Sequence, residues 1–275
     1  MNIFVGTLYS GENEFEECFD SIQMQSYKMF QHKIFKYLPN KEAHVTLYKS
    51  FLENADFDLL VKIDADMVLT NDTLFEKIVQ KFESNDWMDL LGIAVYDFFS
   101  DQLIWGLNAY RKSVRWDFEK ETIFVDIPEV PRNKILFDKI DLAPAAIHCK
   151  NPSPFQAFHY GIHRALKSLQ PIHSETHWNT LKRTWGNFQR TKDIRVGLAS
   201  LGAELTYAGF FRISDLDYTD SRMKDILENY LRLDPVGLSR EINKLRLLHW
   251  GFLPGSMRRK MLRFIRSKKL TNFVG

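Results

Sequence analysis

The chain has 275 residues, of which 45% are hydrophobic and 26% are charged, and this composition is typical of a globular protein with one large domain or a core domain and an appendage. It has a formal charge of only +2, lacks any stretch of about 18 uninterrupted apolar residues, and does not begin with a signal-peptide pattern. Its two cysteines, Cys18 and Cys149, are too few for a disulfide framework. These features argue against a membrane-spanning or disulfide-stapled protein and predict a cytoplasmic one.

Strand-like and helix-like patterns alternate along the first third of the chain. Short apolar segments bounded by turn residues predict strands at 2–9, 32–38 and 59–63. Between them, apolar residues spaced three and four apart predict one helix after the first strand and another after the second. Because strands joined by helical crossovers lie parallel, we expect an α/β fold with a Rossmann-like, mostly parallel sheet and helices on both faces.

The pattern changes after a further helix at about 74–82 and a strand at 90–96. Four short strands separated by turns are then predicted, which indicates a mixed, partly antiparallel extension: 102–111, 122–127, 134–140 and 145–149. Helical periodicity dominates from residue 154 onwards, at about 154–169, 175–189, 192–206, 221–232 and 239–249. We place the domain boundary near Asn151-Pro152, which separates a core at 1–150 from a helical C-terminal region at 151–275.

Two aspartates, Asp64 and Asp66, follow the third predicted strand. Because side chains on a strand alternate between its faces, we expect Asp64 and Asp66 to point the same way and Ala65 the other way. The carboxyl ends of parallel strands are where open α/β sheets hold ligands, and magnesium and manganese favour carboxylate oxygens together with substrate phosphates. The pair therefore predicts a divalent-metal site for a phosphorylated ligand, with a solvated turn as the alternative.

Three segments resemble the nucleotide-sugar half of family 2 glycosyltransferases with the GT-A fold, over about residues 1–112. They are Phe-Val-Gly-Thr-Leu-Tyr-Ser at 4–10, Ser-Ile-Gln-Met-Gln-Ser-Tyr at 21–27, and the apolar strand that leads into Asp64-Ala65-Asp66. The resemblance implies a metal-dependent enzyme that transfers a sugar from a nucleotide-sugar donor, UDP-linked, to a glycan or lipid-linked glycan acceptor. It implies that Asp64 and Asp66 hold Mn²⁺ or Mg²⁺ on the donor diphosphate, and that Thr7 and Tyr9 cradle the nucleoside.

The second predicted strand departs from this family pattern. Members commonly end it in acidic residues that contact the base or ribose, whereas this chain has Lys36-Tyr37-Leu38-Pro39. Lys62 has the same parity as Asp64 along the third strand, and two roles are open to it. It either contacts a donor phosphate or neutralises the neighbouring acids.

An inverting enzyme also needs a base that takes the proton of the acceptor hydroxyl. Asp126 and Asp97 each follow a predicted strand and are the two candidates, with Asp126 preferred. Either aspartate is equally compatible with an ordinary turn, and a retaining enzyme would need neither.

Two carboxylates leave a metal shell incomplete, and a histidine is the natural third ligand. His148 ends a short predicted strand directly before turn-forming residues, and the segment 148–164 resembles one found in bacterial surface-polysaccharide glycosyltransferases. His249, close to the end of the chain, is the alternative ligand.

The charge of the chain is concentrated near its end. Residues 240–269 contain ten basic residues and one acidic residue, and apolar residues recur at helical spacing within 256–269. This pattern fits a peripheral helix on the anionic inner face of a membrane, and it fits a solvated basic helix equally well. A nucleic-acid partner is not favoured, because no recognition motif accompanies the charge.

Two other functions remain as alternatives. Asp64 and Asp66 also match the motif of haloacid-dehalogenase-like phosphatases, in which the first aspartate is the nucleophile and the second the acid/base. That motif normally follows the first strand of its domain, and the later acids Asp215 and Asp217 lack a preceding apolar strand. The other alternative is a catalytically inactive glycosyltransferase-like module associated with a membrane.

Overall fold

The computed structural model describes residues 1–119, 127–140, 144–170, 173–212 and 221–250, with side chains to residue 247. Within it the chain divides into two units, Met1–Ser153 and Pro154–Gly275. Several sequence predictions concern residues outside this description: most of the strand at 122–127, the side chain of His249, and the basic segment at 256–269.

The first unit contains one eight-stranded sheet within the described residues, in the order β2-β1-β3-β6-β5-β8-β4, with β7 paired to β5. Its strands are β1 (Ile3–Tyr9), β2 (Phe30–Lys36), β3 (Leu59–Asp64), β4 (Met67–Leu69), β5 (Leu90–Asp97), β6 (Gln102–Arg111), β7 (Ile135–Asp138) and β8 (Ala146–His148). Strand β1 is parallel to β2 and β3, and β5 is parallel to β7 and β8. Strand β6 is antiparallel to both β3 and β5, and β4 is antiparallel to β8.

Helices cover both faces of this sheet because side chains alternate along each strand. Val5 and Ile63 pack on one face with helices α1 (Phe15–Gln23) and α3 (Leu74–Glu83). On the other face, Phe4 and Leu60 pack with helix α2 (Asn40–Glu53). The predicted fold class, an α/β fold with helices on both faces of the sheet, a mostly parallel first half and a partly antiparallel extension, is confirmed.

One local prediction about the aspartate pair is wrong. Strand β3 ends at Asp64, and Ala65 and Asp66 form a turn that leads into the short strand β4, which the sequence reading missed. Strand alternation therefore does not set the direction of the Asp66 side chain. The three apolar residues of β4 continue the pattern of β3, so periodicity alone does not reveal the turn between them.

The pairing directions bring the carboxyl ends of five strands to one edge of the sheet. Because β6 is antiparallel to both of its neighbours, β5 runs in the same direction as β1 and β3, and β8 runs with β5. The residues that end these strands are Tyr9, Lys36, Asp64, Asp97 and His148. This edge, here called the carboxyl edge, is where open α/β sheets hold their ligands.

The second unit is helical. Its described helices are α4 (Pro154–Ser168), α5 (Ser174–Thr191), α6 (Ile194–Tyr207), α7 (Ser221–Glu228) and α8 (Pro235–Trp250). Helix α6 lies at the centre of the unit, since its residues from 196 to 206 are all buried. Within the described residues, no helix combines the length and the apolar content needed to cross a membrane.

Glycines allow α4 and α6 to pack at close range. A Cβ atom built on Gly161 of α4 would lie 1.8 Å from the carbonyl oxygen of Ala199, and one built on Gly202 of α6 would lie 2.3 Å from the carbonyl oxygen of Phe158. Both neighbours are backbone atoms, which cannot rotate out of the way. The two helices therefore depend on these positions having no side chain.

We expect Gly161→Ala to lower the free energy of unfolding by at least about 2 kcal/mol, because the added methyl group forces the two backbones apart. The matched control is Gly186→Ala in α5, where no described atom lies within 4 Å of a built Cβ. That control should raise stability by up to about 1 kcal/mol through helix propensity. Urea unfolding of both variants measures the difference, and equal effects would contradict this account of the α4–α6 contact.

Candidate functional site

Asp64 forms an ion pair at the carboxyl edge. Its Oδ1 lies 2.5 Å from the Nζ atom of Lys62, whose side chain is only 10% exposed, while that of Asp64 is 37% exposed. Lys62 thus neutralises the first aspartate of the pair, as one of the two sequence interpretations of this lysine proposed. The exposed remainder of Asp64 faces outward from the end of β3, where a ligand can reach it.

Asp66 belongs to a different set of contacts. Its Oδ2 lies 3.4 Å from His148 Nε2 and accepts a hydrogen bond from the Cys149 thiol at 3.2 Å. Its Oδ1 is buried and has no hydrogen-bond partner among the described residues. A buried carboxylate oxygen without a partner costs free energy, and a cation or a hydrogen-bond donor bound at this position would offset that cost.

His148 is fixed from behind by Asp97. Its Nδ1 lies 2.8 Å from Asp97 Oδ1, and its Nε2 faces Asp66. The other Asp97 oxygen accepts hydrogen bonds from the Ser100 amide at 2.8 Å and from the Ser100 hydroxyl at 2.5 Å. A histidine that gives one ring nitrogen to a carboxylate and turns the other toward a second acid has the arrangement of a metal ligand with its supporting partner.

Asp97 is fully buried in this arrangement. The hypothesis that it is the base for an acceptor hydroxyl conflicts with this geometry, because a carboxylate enclosed by His148 and Ser100 does not face an acceptor. The structure instead places it as the partner that orients His148. Asp126, the preferred candidate base, lies outside the described residues.

Asp66, His148 and Cys149 form the group of described residues whose side chains can bind one metal ion. One ligand atom from each lies within 4.8 Å of the other two, and Asp64 is not part of this group. The predicted ligands Asp66 and His148 are thus brought together. Asp64 is held by Lys62, and Cys149 takes the third place in the group.

The pKa values around this group reflect its negative charge. Burial raises the pKa of Asp66, but the charge of His148 and the hydrogen bonds from His148 and Cys149 outweigh it and lower that pKa to about 2. Burial and then the charge of Asp66 raise the pKa of Glu12 to about 7. Burial and the charges of Asp66 and Asp64 also raise the pKa of the Cys18 thiol. A cation is the ligand that such an environment favours.

Whereas the pKa of Asp66 is lowered, that of its neighbour His148 is raised. Burial lowers its pKa, but the charges of Cys149 and Asp66 and the hydrogen bonds to Asp66 and Asp97 raise it well above its usual value. With Nδ1 directed at Asp97, a proton on Nε2 faces the Asp66 carboxylate. A metal cation bound by Nε2 and Asp66 takes the place of that proton, so the residues present fit a divalent ion.

Aromatic rings line the same edge beside β1 and β2. The ring of Tyr9 stacks on Phe15 with centroids 4.1 Å apart and lies 5.3 Å from the ring of Tyr37. The Nζ atom of Lys36 lies 5.3 Å from the Phe15 ring centroid. Tyr37 is 59% exposed and has a φ angle of 56°. Tyr9, Phe15, Tyr37 and Lys36 are called the aromatic cluster below.

The two predicted nucleoside contacts occupy different environments. Tyr9 is partly exposed within the aromatic cluster, and its hydrogen bond with Tyr37, together with burial, raises its pKa to about 12. Thr7 is fully buried, and its hydroxyl lies 2.9 Å from His32 Nε2. The Thr7 side chain therefore does not reach the surface of the protein.

Sequence reasoning identified Tyr9 at this edge but not Cys149, Glu12 or the other members of the aromatic cluster. Cys149 follows directly after His148, so adjacency to a proposed ligand was the available signal. The replacement of family acids by Lys36 and Tyr37 was noted only as a departure, although an exposed aromatic residue directly after a strand was visible in the sequence. No sequence pattern connects Glu12 with Asp66.

No protein-family model and no curated protein matches the chain. Among solved structures, it is similar to the crystal structure of S. aureus TarS 1–349, with 14% identity, a TM-score of 0.39, and coverage of 85% of this chain and 94% of that one. It is similar to the same protein in complex with UDP, with 12% identity, a TM-score of 0.38, and coverage of 92% and 91%. A197 from STIV matches 48% of this chain and 70% of its own, with 14% identity and a TM-score of 0.33. Since all three TM-scores are below 0.5, the functional assignment rests on the residues of this chain.

Proposed function

We propose that the chain is a metal-dependent glycosyltransferase that binds a nucleotide sugar, UDP-linked, at the carboxyl edge. The observation that supports this most strongly is the partnerless, buried Oδ1 of Asp66 beside His148 Nε2. The pair lies at the end of the sheet where α/β folds hold nucleotides. A cation there needs further oxygen ligands, and a diphosphate provides them.

Asp66 and His148 would hold the cation, with Asp97 as the positioning residue behind His148. When bound, the ion neutralises the negative charge that forms on a nucleoside diphosphate as the sugar leaves. Asp97 keeps Nε2 of His148 directed at Asp66 and prevents the ring from turning. Burial of the Asp97 and His148 side chains keeps competing water away from their contact.

Lys62 and Asp64 are suited to the polar part of the donor. Lys62 provides a positive charge beside Asp64, two residues further along the chain, and the exposed part of Asp64 can accept a hydrogen bond from a ribose hydroxyl. Their ion pair also fixes both side chains before a ligand arrives. We therefore assign them to donor binding, and Asp66 to the metal.

The aromatic cluster is suited to the base of the donor. Tyr9 and Tyr37 offer ring faces at the ends of β1 and β2, and Lys36 adds positive charge beside them. Flat bases stack on such faces without requiring a particular hydrogen-bonding pattern. This explains how the edge would bind a nucleoside although β2 does not end in acidic residues.

The remaining parts of the proposal rest on the sequence alone. A glycan or lipid-linked acceptor, and Asp126 as the base of an inverting reaction, have no counterpart among the described contacts. The same holds for the anionic membrane surface as a partner of 256–269. The phosphatase alternative gains no support from the geometry, because Asp64, its required nucleophile, is paired with Lys62.

We expect UDP to bind the full chain more tightly with Mn²⁺ than with EDTA, and Asp66→Asn to abolish that gain. The amide keeps the shape of the side chain but removes the charge that holds the ion, so the affinity in Mn²⁺ should fall by at least about tenfold. Isothermal titration calorimetry measures both affinities. Asp58→Asn is the matched control. Asp58 lies directly before β3, at the end of the strand far from the carboxyl edge, and accepts a hydrogen bond from the Asn2 backbone amide.

The proposed role of Asp97 in positioning His148 can be tested in the same assay. Asp97→Asn should raise the Mn²⁺ concentration needed for half-maximal UDP binding by about 10- to 100-fold, while saturating Mn²⁺ restores UDP affinity. Equal UDP binding with and without metal in the unmodified protein would contradict the proposed function. Metal-dependent UDP binding without release of UDP from any UDP-linked sugar would favour the inactive module.

We expect Tyr37→Gly to weaken UDP binding about tenfold, which corresponds to the loss of one stacked ring worth about 1–3 kcal/mol. Glycine suits the positive φ at this position, so the backbone should be retained. Tyr37→Phe keeps the ring and should bind UDP as the unmodified protein does. Pyrophosphate has no base, so its metal-dependent binding should not change, and equal weakening of both ligands would contradict a role in base stacking.

A further inference from the structure

A thiol completes the group of possible metal ligands at the carboxyl edge. The sulfur of Cys149 lies 3.2 Å from Asp66 Oδ2 and 3.6 Å from His148 Nε2. Cys149 is only 2% exposed, so it is enclosed together with the two predicted ligands. Donor atoms this close together can be joined by one ion that binds to all three.

Cys149 has a strained backbone conformation. Its φ angle is 55°, in the left-handed region that L-residues avoid by about 1–2 kcal/mol. Its amide donates a hydrogen bond to the Asp66 carbonyl oxygen at 2.8 Å, and two residues later the Asn151 amide donates to Glu14 Oε1 at 2.8 Å. These bonds on both sides of Cys149 keep the strained conformation, which directs the thiol at Asp66 and His148.

The partnerless oxygen of Asp66 provides independent support for a bound ion. Oδ2 of Asp66 already has Cys149 and His148 beside it, whereas the buried Oδ1 has no hydrogen-bond partner among the residues described. The thiol alone therefore does not satisfy this carboxylate. An ion bound to the carboxylate, the imidazole and the sulfur would do so.

The chemistry of this donor set differs from that of an ordinary magnesium site. Magnesium and manganese favour oxygen ligands, whereas a thiolate favours zinc and similar borderline-soft ions. Catalytic zinc sites use three protein ligands and leave a fourth position open. One carboxylate, one imidazole and one thiolate match that number, and an oxygen of the donor diphosphate can take the open position.

We propose that Cys149 binds the cation together with Asp66 and His148, and that the site takes Zn²⁺ in preference to Mg²⁺ or Mn²⁺. This inference deepens the proposed function and rests on it, since it identifies the ion that the donor diphosphate meets. As the sulfur–metal bond forms, the thiol releases its proton to solvent and its hydrogen bond to Asp66 is lost. Oδ2 of Asp66, which accepted this bond, then becomes available to the ion together with the partnerless Oδ1.

The test uses Co²⁺ as a spectroscopic substitute for Zn²⁺ in the full chain. Thiolate bound to Co²⁺ gives a near-ultraviolet charge-transfer band that oxygen and nitrogen ligands do not give. We expect this band on Co²⁺ addition, its loss on addition of one equivalent of Zn²⁺, and its persistence in excess Mg²⁺. Because these measurements use the unmodified protein, they do not depend on whether any variant folds.

Two variants assign the band to its residue. Cys149→Gly suits the positive φ and removes the sulfur, so it should abolish the band and weaken Zn²⁺ binding by at least about tenfold, the lower limit of what even supporting partners of metal ligands contribute. Cys18→Ala removes the other buried thiol and is the matched control. It should keep both the band and the Zn²⁺ affinity.

The outcomes separate this inference from the proposed function. Metal-dependent UDP binding with no thiolate band and no preference for Zn²⁺ would overturn the role of Cys149 and leave the glycosyltransferase proposal standing. A band that disappears in Cys18→Ala but not in Cys149→Gly would also overturn it. UDP binding that is independent of every cation would overturn both proposals.

Discussion

The hydrogen bond between Asp97 and His148 is the contact on which the candidate site depends. It joins the ends of two parallel strands, β5 and β8, and turns the second nitrogen of the imidazole toward Asp66. Ser100 holds the Asp97 carboxylate from the other side, so the whole arrangement is fixed before any ligand arrives. Preorganisation of this kind is what allows buried polar groups to act on a ligand without first rearranging.

Charge and burial oppose each other at this edge. Burial disfavours ionised groups, yet the pKa of Asp66 is lowered because His148 and Cys149 stabilise its negative charge. Glu12 shows the other result, since burial and the charge of Asp66 raise its pKa. The edge therefore stabilises a carboxylate that has charged or hydrogen-bonding partners and penalises further negative charge. A divalent cation would relieve that penalty and would favour the binding of an anionic diphosphate.

The general fold followed from periodicity, because buried strands and one-sided helices leave clear patterns in the sequence. The strand 102–111 was predicted with the bounds of β6, and the five C-terminal helices were located within a few residues. Details of the site depended on contacts between residues distant in sequence. Asp97 was recognised as a residue following a strand, but its burial against His148 comes from the pairing of β5 with β8, which no local pattern encodes.

The aspartate pair illustrates the same limit at short range. Asp64 and Asp66 were identified from their position after an apolar strand, but a turn at 65–66 assigns them to different partners, Lys62 for one and His148 for the other. Side-chain alternation holds only while a strand continues. Because the residues of β4 are also apolar, the sequence pattern does not show where β3 ends. The different partners of Asp64 and Asp66 are therefore apparent only from the structure.

The central claim is that Asp66 and His148 hold a cation that binds the diphosphate of a nucleotide sugar. Crystals of the full chain grown with UDP and either Mn²⁺ or Zn²⁺ test it directly through the anomalous signal of the metal. The account predicts one metal peak in contact with Asp66 Oδ1 and His148 Nε2, with diphosphate oxygens completing its coordination. A diphosphate bound elsewhere, or bound at the carboxyl edge with the metal away from Asp66, would contradict it.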